Sequence, residues 1–219
     1  MGLVETWLKE KPHDYYHLNG YNLEMCNRND KGGGGVCLYV TENIVYTVRN
    51  YLNQINHLEN TDTFFIEIEN GKAQNIIIGV IYRPPDQDIK EFNKYIDTLL
   101  CRVTRQENKL VYIMGDFNVN LLNDDIHEPT GEFIDTFVSY SLYPSITKPT
   151  RITSKTATLI DNIFTNNYAK QTSGIILTDI SDHLPVFIST NLRVFNDNNN
   201  VVDVEIRDMN EKKYQCAER

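Results

Sequence analysis

The sequence lacks three features that would place it in a membrane, a secretory pathway or a zinc-binding class. It has no run of about 18 apolar residues, the length that a membrane-spanning helix needs, so no membrane partner is expected. Its N-terminus has no basic segment followed by an apolar stretch, which argues against a secretory signal. None of the four cysteines forms a CxxC pair, so we expect reduced thiols in an intracellular protein of the nucleus or cytoplasm.

An excess of positive charge is also missing. The formal net charge is −9 at pH 7, and this balance argues against a passive nucleic-acid binder, which is normally basic. A metal-dependent enzyme that acts on phosphates can nevertheless be acidic, because its carboxylates recruit cations that offset the charge of the substrate. The composition therefore leaves nucleases and phosphatases open.

The apolar pattern predicts many strands with two helices among them. Steps of three and four between apolar residues predict helices over 88–103 and 131–140. Alternating or continuous apolar runs predict strands at 34–41, 44–48, 64–69, 75–82, 110–114, 158–164, 173–177 and 185–190. The first two strands are expected to pair as a hairpin, the third to be half-buried and the fourth to be covered on both faces. This order predicts an α/β or α+β fold with two packed sheets over residues 1–195, followed by a polar linker or tail over 196–219.

Two polar motifs follow or precede apolar strands. In Gly115-Asp116-Phe117-Asn118, a carboxylate and an amide two residues apart point the same way if the segment is extended. One can orient or deprotonate a water while the other binds a phosphate oxygen, and a helix-capping Asp in an ordinary turn is the alternative. In Ser181-Asp182-His183, the imidazole can neutralise a phosphate or protonate a leaving group, and a surface His in a turn is the alternative.

Three further residues carry weaker signals. Glu5 ends an apolar segment and can hold Mg²⁺ through oxygen, although in isolation a solvated Glu is the better interpretation. Asp161 lies among apolar residues, where a carboxylate is costly unless it is paired, either with a His or with the backbone. Tyr82 ends a buried strand and can donate to phosphate, or it is simply an amphipathic Tyr at a sheet edge.

In this order, the motifs resemble the endonuclease/exonuclease/phosphatase superfamily, which includes pancreatic deoxyribonuclease and the apurinic/apyrimidinic endonucleases. The matching segments run from Glu5 to Phe187 and are ETWL, IYRPP, GDFN, LIDNIF and SDHLPV. Together with KGGGGVCLYV and TKPTRIT, they resemble the endonuclease domain of LINE-type (non-LTR) retrotransposons, which precedes a reverse transcriptase and nicks target DNA. The resemblance implies a four-layer α/β sandwich, with two mainly antiparallel inner sheets between helices.

The resemblance also implies a role for each matched residue. Asp116 would orient or deprotonate the attacking water, and Asn118 and Tyr82 would hold the phosphate. His183, paired with Asp161, would stabilise the pentacovalent state. Glu5 and Asp182 would bind the metal, which would be Mg²⁺ or, alternatively, Mn²⁺. Thr150 would contact the phosphate. The implied partners are DNA and a reverse transcriptase domain of the same element.

One departure from the superfamily pattern concerns the N-terminus. Members carry a strand with an Asn before the ETWL-type motif, whereas here only four residues precede Glu5. We therefore expect the first inner strand to be missing and the chain to be a fragment, an incomplete gene model or a decayed copy of an element. Two alternatives to a DNA endonuclease stay open: a phosphatase or phospholipid diesterase of the same fold, and a catalytically inactive remnant.

Overall fold

Most elements of the chain are strands, with a few helices among them, in a computed structural model that describes residues 1–8, 16–26, 33–53, 58, 60–71, 73–105, 108–169 and 171–191. The strands are β1 (Gly2–Val4), β2 (Tyr21–Cys26), β3 (Val36–Thr41), β4 (Tyr46–Val48), β5 (Asp62–Ile68), β6 (Ile76–Tyr82), β7 (Leu110–Asp116), β8 (Tyr143–Pro144), β9 (Arg151–Ile152), β10 (Ala157–Thr158), β11 (Asp161–Thr165), β12 (Gln171–Ile175) and β13 (Val186–Thr190). The helices are α1 (Asn50–Asn53), α2 (Ile89–Thr104) and α3 (Glu128–Ser139). A 3₁₀ turn spans Leu121–Asn123.

A six-stranded sheet with the order β4-β5-β6-β7-β11-β8 forms the centre of the molecule. Only β6 and β7 run parallel in it, and α2 makes the crossover that parallel neighbours require. Side chains of β6 enter the core on both faces: Ile77 and Ile81 on one, Val80 on the other. The predicted central strand covered on both faces is therefore confirmed.

Helices α2 and α3 cover one face of this sheet. The side chain of Asp88 caps α2 by accepting the backbone N–H of Glu91, and the apolar face of the helix is fully buried, as at Phe92 and Ile96. This confirms the helix that the periodicity predicts. Helix α3 begins three residues earlier than predicted, because Pro129 fits the first helical turn, where its missing N–H costs nothing. No helix among the described residues combines the length and the apolarity that crossing a bilayer requires.

The opposite face carries two smaller antiparallel sheets. One has the order β2-β3-β1 and the other pairs β12 with β13. Strand β1 packs on β6 and β7, and β13 packs on β11, so the two sheets share the second layer. The result is the predicted α/β fold with sheets flanked by helices. Within the described ranges the helices lie on one face of the central sheet only. The predicted domain boundary at residue 195 lies outside those ranges.

Two local expectations were wrong. Strand β4 does not form a hairpin with β3, because it crosses to the central sheet and pairs with β5, while β3 pairs with β1 and β2. Strand β5 is buried on both faces instead of half-buried. Its acidic residue Glu67 tolerates burial because it accepts bonds from Arg49 and from Lys109, the latter at 2.7 Å.

Candidate active site

Asp116 is the last residue of β7 and is only 4% exposed. The preceding residue must be glycine, because a Cβ on Gly115 would lie 1.8 Å from the carbonyl oxygen of Ile81 on β6. This close approach of the two strands sets Asp116 beside Tyr82 in the parallel ladder. On its other side Asp116 lies opposite Asp161, the first residue of β11. Three residues from separate motifs thus meet at one end of the central sheet.

Asn118 approaches Asp116 through a turn and not along an extended segment. Its φ is 47°, in the left-handed region that Asn tolerates better than most residues. The backbone N–H of Asn118 donates to Oδ1 of Asp116 at 2.9 Å, and its side-chain amide donates to Oδ2 at 3.3 Å. The same amide donates to the carbonyl oxygen of Arg83 at 2.7 Å. The structure therefore brings Asn118 to Asp116, but by a geometry that the alternation of an extended strand does not describe.

His183 completes the site from the segment before β13. Its Nδ1 lies 3.2 and 3.1 Å from the two carboxylate oxygens of Asp161, and 3.9 Å from Oδ2 of Asp116. With Nδ1–H donated to Asp161, the imidazole keeps Nε2 for exchange with a ligand. The His183 side chain is 29% exposed, against 5% for Asp116, so the imidazole is the more accessible of the two.

The electrostatics of the site are dominated by three carboxylates, of which Asp116 is buried, Asp161 is partly buried and Glu5 is exposed. Burial raises the pKa of Asp116 to about 7, and the negative charges of Asp161 and Glu5 contribute to the rise. The hydrogen bond to Asp161 raises the pKa of His183, and this outweighs the lowering by burial. Near neutral pH, Asp116 is thus poised between its two protonation states, as suits a group that exchanges a proton with water.

Glu5 and Tyr82 are directly bonded to each other, because the Tyr82 hydroxyl donates to the Glu5 carboxylate. Glu5 has a φ of 52°, a conformation that costs free energy in a residue other than glycine. A residue with such a strained backbone keeps its conformation where the structure around it holds it in place. The Tyr82 hydroxyl thus orients Glu5, and its predicted donation to phosphate stays a prediction.

Asp182 does not join this group of carboxylates. Its Oδ2 accepts a bond of 2.7 Å from Nε of Arg151, and both side chains are nearly half exposed. That bond lowers the pKa of Asp182. The predicted role of Asp182 at the metal stays a prediction, and the structure gives it a different partner.

Thr150 is fully buried in the structure. Its hydroxyl oxygen accepts the backbone N–H of Ile160 at 3.2 Å and that of Asp161 at 3.1 Å. Thr150 therefore fixes the backbone at the start of β11, where Asp161 stands. A phosphate contact through this hydroxyl stays a prediction and has to be reconciled with its burial.

The donor set fits a hard divalent cation. Within the described part of the chain, Asp116, Asp161 and His183 bring one ligand atom each to within 4.8 Å of one another. Mg²⁺ prefers carboxylate oxygens, and a divalent cation would offset the like charges that raise the pKa of Asp116. We call Glu5, Asp116 and Asp161 the carboxylate cluster.

Two arginines near the site were not identified as functional residues from the sequence. Arg83 is 5% exposed, and its guanidinium donates to the carbonyl oxygen of Asn118 at 3.0 Å, which holds the turn after β7. The sequence signal for Arg83 was its position as a charged residue between a buried strand and two prolines. Arg151 stands at the rim, and no local pattern distinguishes it from a surface arginine.

Comparisons with known proteins place the chain in a family. Residues 1–183 match the model of the Endonuclease/Exonuclease/phosphatase family. No curated protein matches the chain. The endonuclease domain of TRAS1, a telomere-specific non-LTR retrotransposon, has a TM-score of 0.61 and 13% identity over 80% of this chain and 82% of that domain.

Two other solved structures show the same fold. An endonuclease/exonuclease/phosphatase family protein from Leptotrichia buccalis has a TM-score of 0.53 and 19% identity, over 80% of this chain and 74% of its own. The human Nocturnin catalytic domain has a TM-score of 0.54 and 16% identity, over 86% of this chain and 80% of its own. At these identities the likeness concerns the fold alone.

Proposed function

The chain belongs to the endonuclease/exonuclease/phosphatase family, and from this premise we propose that it is a Mg²⁺-dependent endonuclease that nicks DNA. The observation that carries the proposal is the contact of His183 with Asp161 at 3.1 Å, beside the buried Asp116 at 3.9 Å. An acid–base pair next to a carboxylate whose pKa is about 7 suits the hydrolysis of a phosphodiester by water.

Each residue has a defined task in this proposal. Asp116 orients the attacking water and takes up its proton, because its pKa near 7 makes it a base at neutral pH. His183, held by Asp161, presents Nε2 to the phosphate and carries the positive charge that stabilises the pentacovalent state. The Asn118 side chain lies beside Asp116 and holds a phosphate oxygen.

Glu5 would hold the divalent cation, and the bond from Tyr82 keeps its carboxylate in place. When bound, Mg²⁺ supplies positive charge that offsets the charge developing on the phosphate and the leaving oxygen. The negative charge of Glu5 contributes to the raised pKa of Asp116, which supports a cation shared by the two carboxylates.

The choice of DNA as substrate is supported by the sequence motifs of retrotransposon endonucleases, above all TKPTRIT and YRPP. The likeness in fold to the TRAS1 endonuclease domain agrees with it. On this basis, the chain nicks target DNA for an element whose reverse transcriptase domain acts at the nick.

The experiment is a nicking assay of the 219-residue chain on supercoiled plasmid, with Mg²⁺ and with EDTA. We expect open circles with Mg²⁺ only, and loss of nicking in Asp116→Asn and His183→Gln. Matched controls are Asp135→Asn and His17→Gln, whose side chains are exposed away from the carboxylate cluster, and both should nick as the unchanged chain does.

The same preparation is assayed on inositol phosphates and sphingomyelin. Hydrolysis of either substrate without nicking of DNA contradicts the choice of substrate and favours a phosphatase or phospholipid diesterase. Nicking that survives both substitutions contradicts the assignment of the site. A well-folded chain that hydrolyses none of the substrates contradicts the enzymatic proposal and favours an inactive remnant.

A further inference from the structure

Arg151 stands directly beside His183. The two residues form an isolated antiparallel bridge, and the backbone N–H of Ile152 donates to the carbonyl oxygen of Asp182 at 3.3 Å. Residues directly opposite each other in an antiparallel ladder project their side chains to the same face, about 5 Å apart at Cβ. The Arg151 side chain therefore leaves the backbone on the side where His183 reaches Asp161.

The guanidinium of Arg151 is fixed at one nitrogen and open at the other two. Its Nε donates to Oδ2 of Asp182 at 2.7 Å, and the Arg151 side chain remains 43% exposed. Among the described residues, no hydrogen bond or ion pair engages its two Nη groups. The charges of Asp116 and Asp161 also contribute to the raised pKa of the Arg151 guanidinium, after its bond to Asp182, which agrees with a position near these carboxylates.

We propose that Arg151 binds the substrate phosphate through its two Nη groups and that Asp182 is the positioning residue that aims them. The inference rests on the proposed function and deepens it by naming a substrate contact. A guanidinium fork matches the non-bridging oxygens of a phosphate, and an arginine held at Nε loses less freedom when it binds. The carboxylate cluster repels a phosphodiester, and a fixed cation at its rim offsets part of that repulsion.

This assignment gives Asp182 a task other than the metal role implied by the resemblance. A carboxylate that accepts a bond from Arg151 and lies 49% exposed is placed to orient a side chain at the rim. It does not share the group of ligand atoms that Asp116, Asp161 and His183 form in the described part of the chain. The two roles for Asp182 make different predictions for a double substitution.

The first experiment compares Arg151→Gln and Arg151→Lys with Arg102→Gln, an exposed arginine on α2 that serves as the matched control. We expect kcat/KM for nicking to fall about 10- to 100-fold in Arg151→Gln. The fall should be smaller in Arg151→Lys, which keeps the charge and loses the fork. Arg102→Gln should nick normally.

A binding measurement separates contact with phosphate from an effect on folding. In the Asp116→Asn background, which is expected to bind duplex DNA without cutting it, the slope of log K against log salt should become shallower by about 0.9 when Arg151→Gln is added. Arg102→Gln should leave the slope unchanged. A slope that Arg151→Gln does not alter overturns the phosphate contact, whatever happens to activity.

The double substitution tests the role of Asp182. If Asp182 acts by aiming Arg151, Asp182→Asn lowers kcat/KM in the unchanged chain and has little further effect in Arg151→Gln. An equal effect in both backgrounds, with a higher Mg²⁺ requirement, overturns the positioning role and assigns Asp182 to the metal.

Normal nicking by Arg151→Gln together with loss of nicking in Asp116→Asn overturns the inference and leaves the proposed function intact. Nicking that survives Asp116→Asn contradicts the assignment of the site, and a folded chain that does not nick DNA refutes the proposed function itself.

Discussion

Asp116 and Asp161 occupy directly opposed positions in the antiparallel ladder of β7 and β11. Like charges in such positions repel each other, and here the repulsion adds to the burial that raises the pKa of Asp116 to about 7. His183 partly compensates, because its Nδ1 lies within 3.9 Å of a carboxylate oxygen on each. The free protein therefore maintains an arrangement that is costly for folding and suited to binding a cation.

The first prediction is that Asp116→Asn stabilises the metal-free protein at pH 8. The pKa of Asp116 is raised from its ordinary 3.8 to about 7, so the unfolded chain releases this proton first as the pH rises. The free energy of unfolding then falls as the pH rises from about 4 to about 7. Removing the charge should recover about 1–3 kcal/mol, or roughly 2–12 °C in Tm, measured by thermal unfolding in EDTA.

The control is Asp135→Asn, whose side chain is exposed on α3 and should leave Tm unchanged. At pH 4, where Asp116 is protonated in the folded protein, the gain from Asp116→Asn should vanish. A variant that is less stable than the unchanged chain at pH 8 would refute the picture of an unfavourable buried charge.

The second prediction concerns the pH dependence of Mg²⁺ binding. Asp116 must lose its proton before the carboxylate cluster carries its full charge, so Mg²⁺ affinity should rise as the pH increases from 6 through about 7 and then level off. Titration calorimetry in two buffers of different ionisation enthalpy would also detect the released proton. In Asp116→Asn the affinity should be lower and its pH dependence weaker, the remainder coming from the titration of His183. A pH dependence as strong as in the unchanged chain would assign it to another group than Asp116.

The sequence predicts the parts of this molecule that depend on local pattern. The period of the apolar residues locates α2 to within a residue at each end, and the continuous run before Pro84 identifies β6 as a central strand. Strand partners are decided by residues far apart in the chain, which is why the expected hairpin of β3 with β4 is absent. Burial of Glu67 could not be foreseen either, since its partners Arg49 and Lys109 come from other parts of the chain.

The candidate site shows the same division between local and distant information. Motifs identify Asp116 and His183 one by one, and the resemblance pairs His183 with Asp161. The pairing of Arg151 with Asp182 depends on two segments meeting in space, and neither residue signals it locally. Similarly, the burial of the Thr150 hydroxyl is a property of the folded chain.

The third prediction is that Asp161→Asn lowers the pKa of His183. The bond to Asp161 is the main cause of the raised pKa, and an amide in its place carries no charge to favour the imidazolium. An NMR titration of the imidazole, assigned with His183→Gln, should show its midpoint at lower pH. Nicking should fall by about 10²- to 10⁴-fold, because the imidazole loses both its charge and its orientation.

The raised pKa of His183 also predicts how the free energy of unfolding changes with pH. A histidine whose pKa is raised on folding stabilises the protein below its unfolded pKa, and this contribution is lost as the pH rises through the folded pKa. Asp161→Asn should remove that dependence, whereas Asp179→Asn, an exposed neighbour of the same loop, should preserve it. An unchanged titration of His183 in Asp161→Asn would show that the contact is not the source of the shift.

The fourth prediction separates a structural Thr150 from a phosphate contact. Thr150→Val keeps the shape of the side chain but leaves the backbone N–H groups of Ile160 and Asp161 without their acceptor. A buried donor that loses its partner costs about 1–3 kcal/mol, so Tm should fall in Thr150→Val and recover in Thr150→Ser, which restores the hydroxyl. Nicking should follow the same order, since Asp161 stands at the displaced backbone.

The salt dependence of DNA binding should stay unchanged in both variants, because the buried hydroxyl neutralises no phosphate. Weaker binding in Thr150→Val at unaltered Tm would instead support the direct contact with phosphate that the resemblance implies.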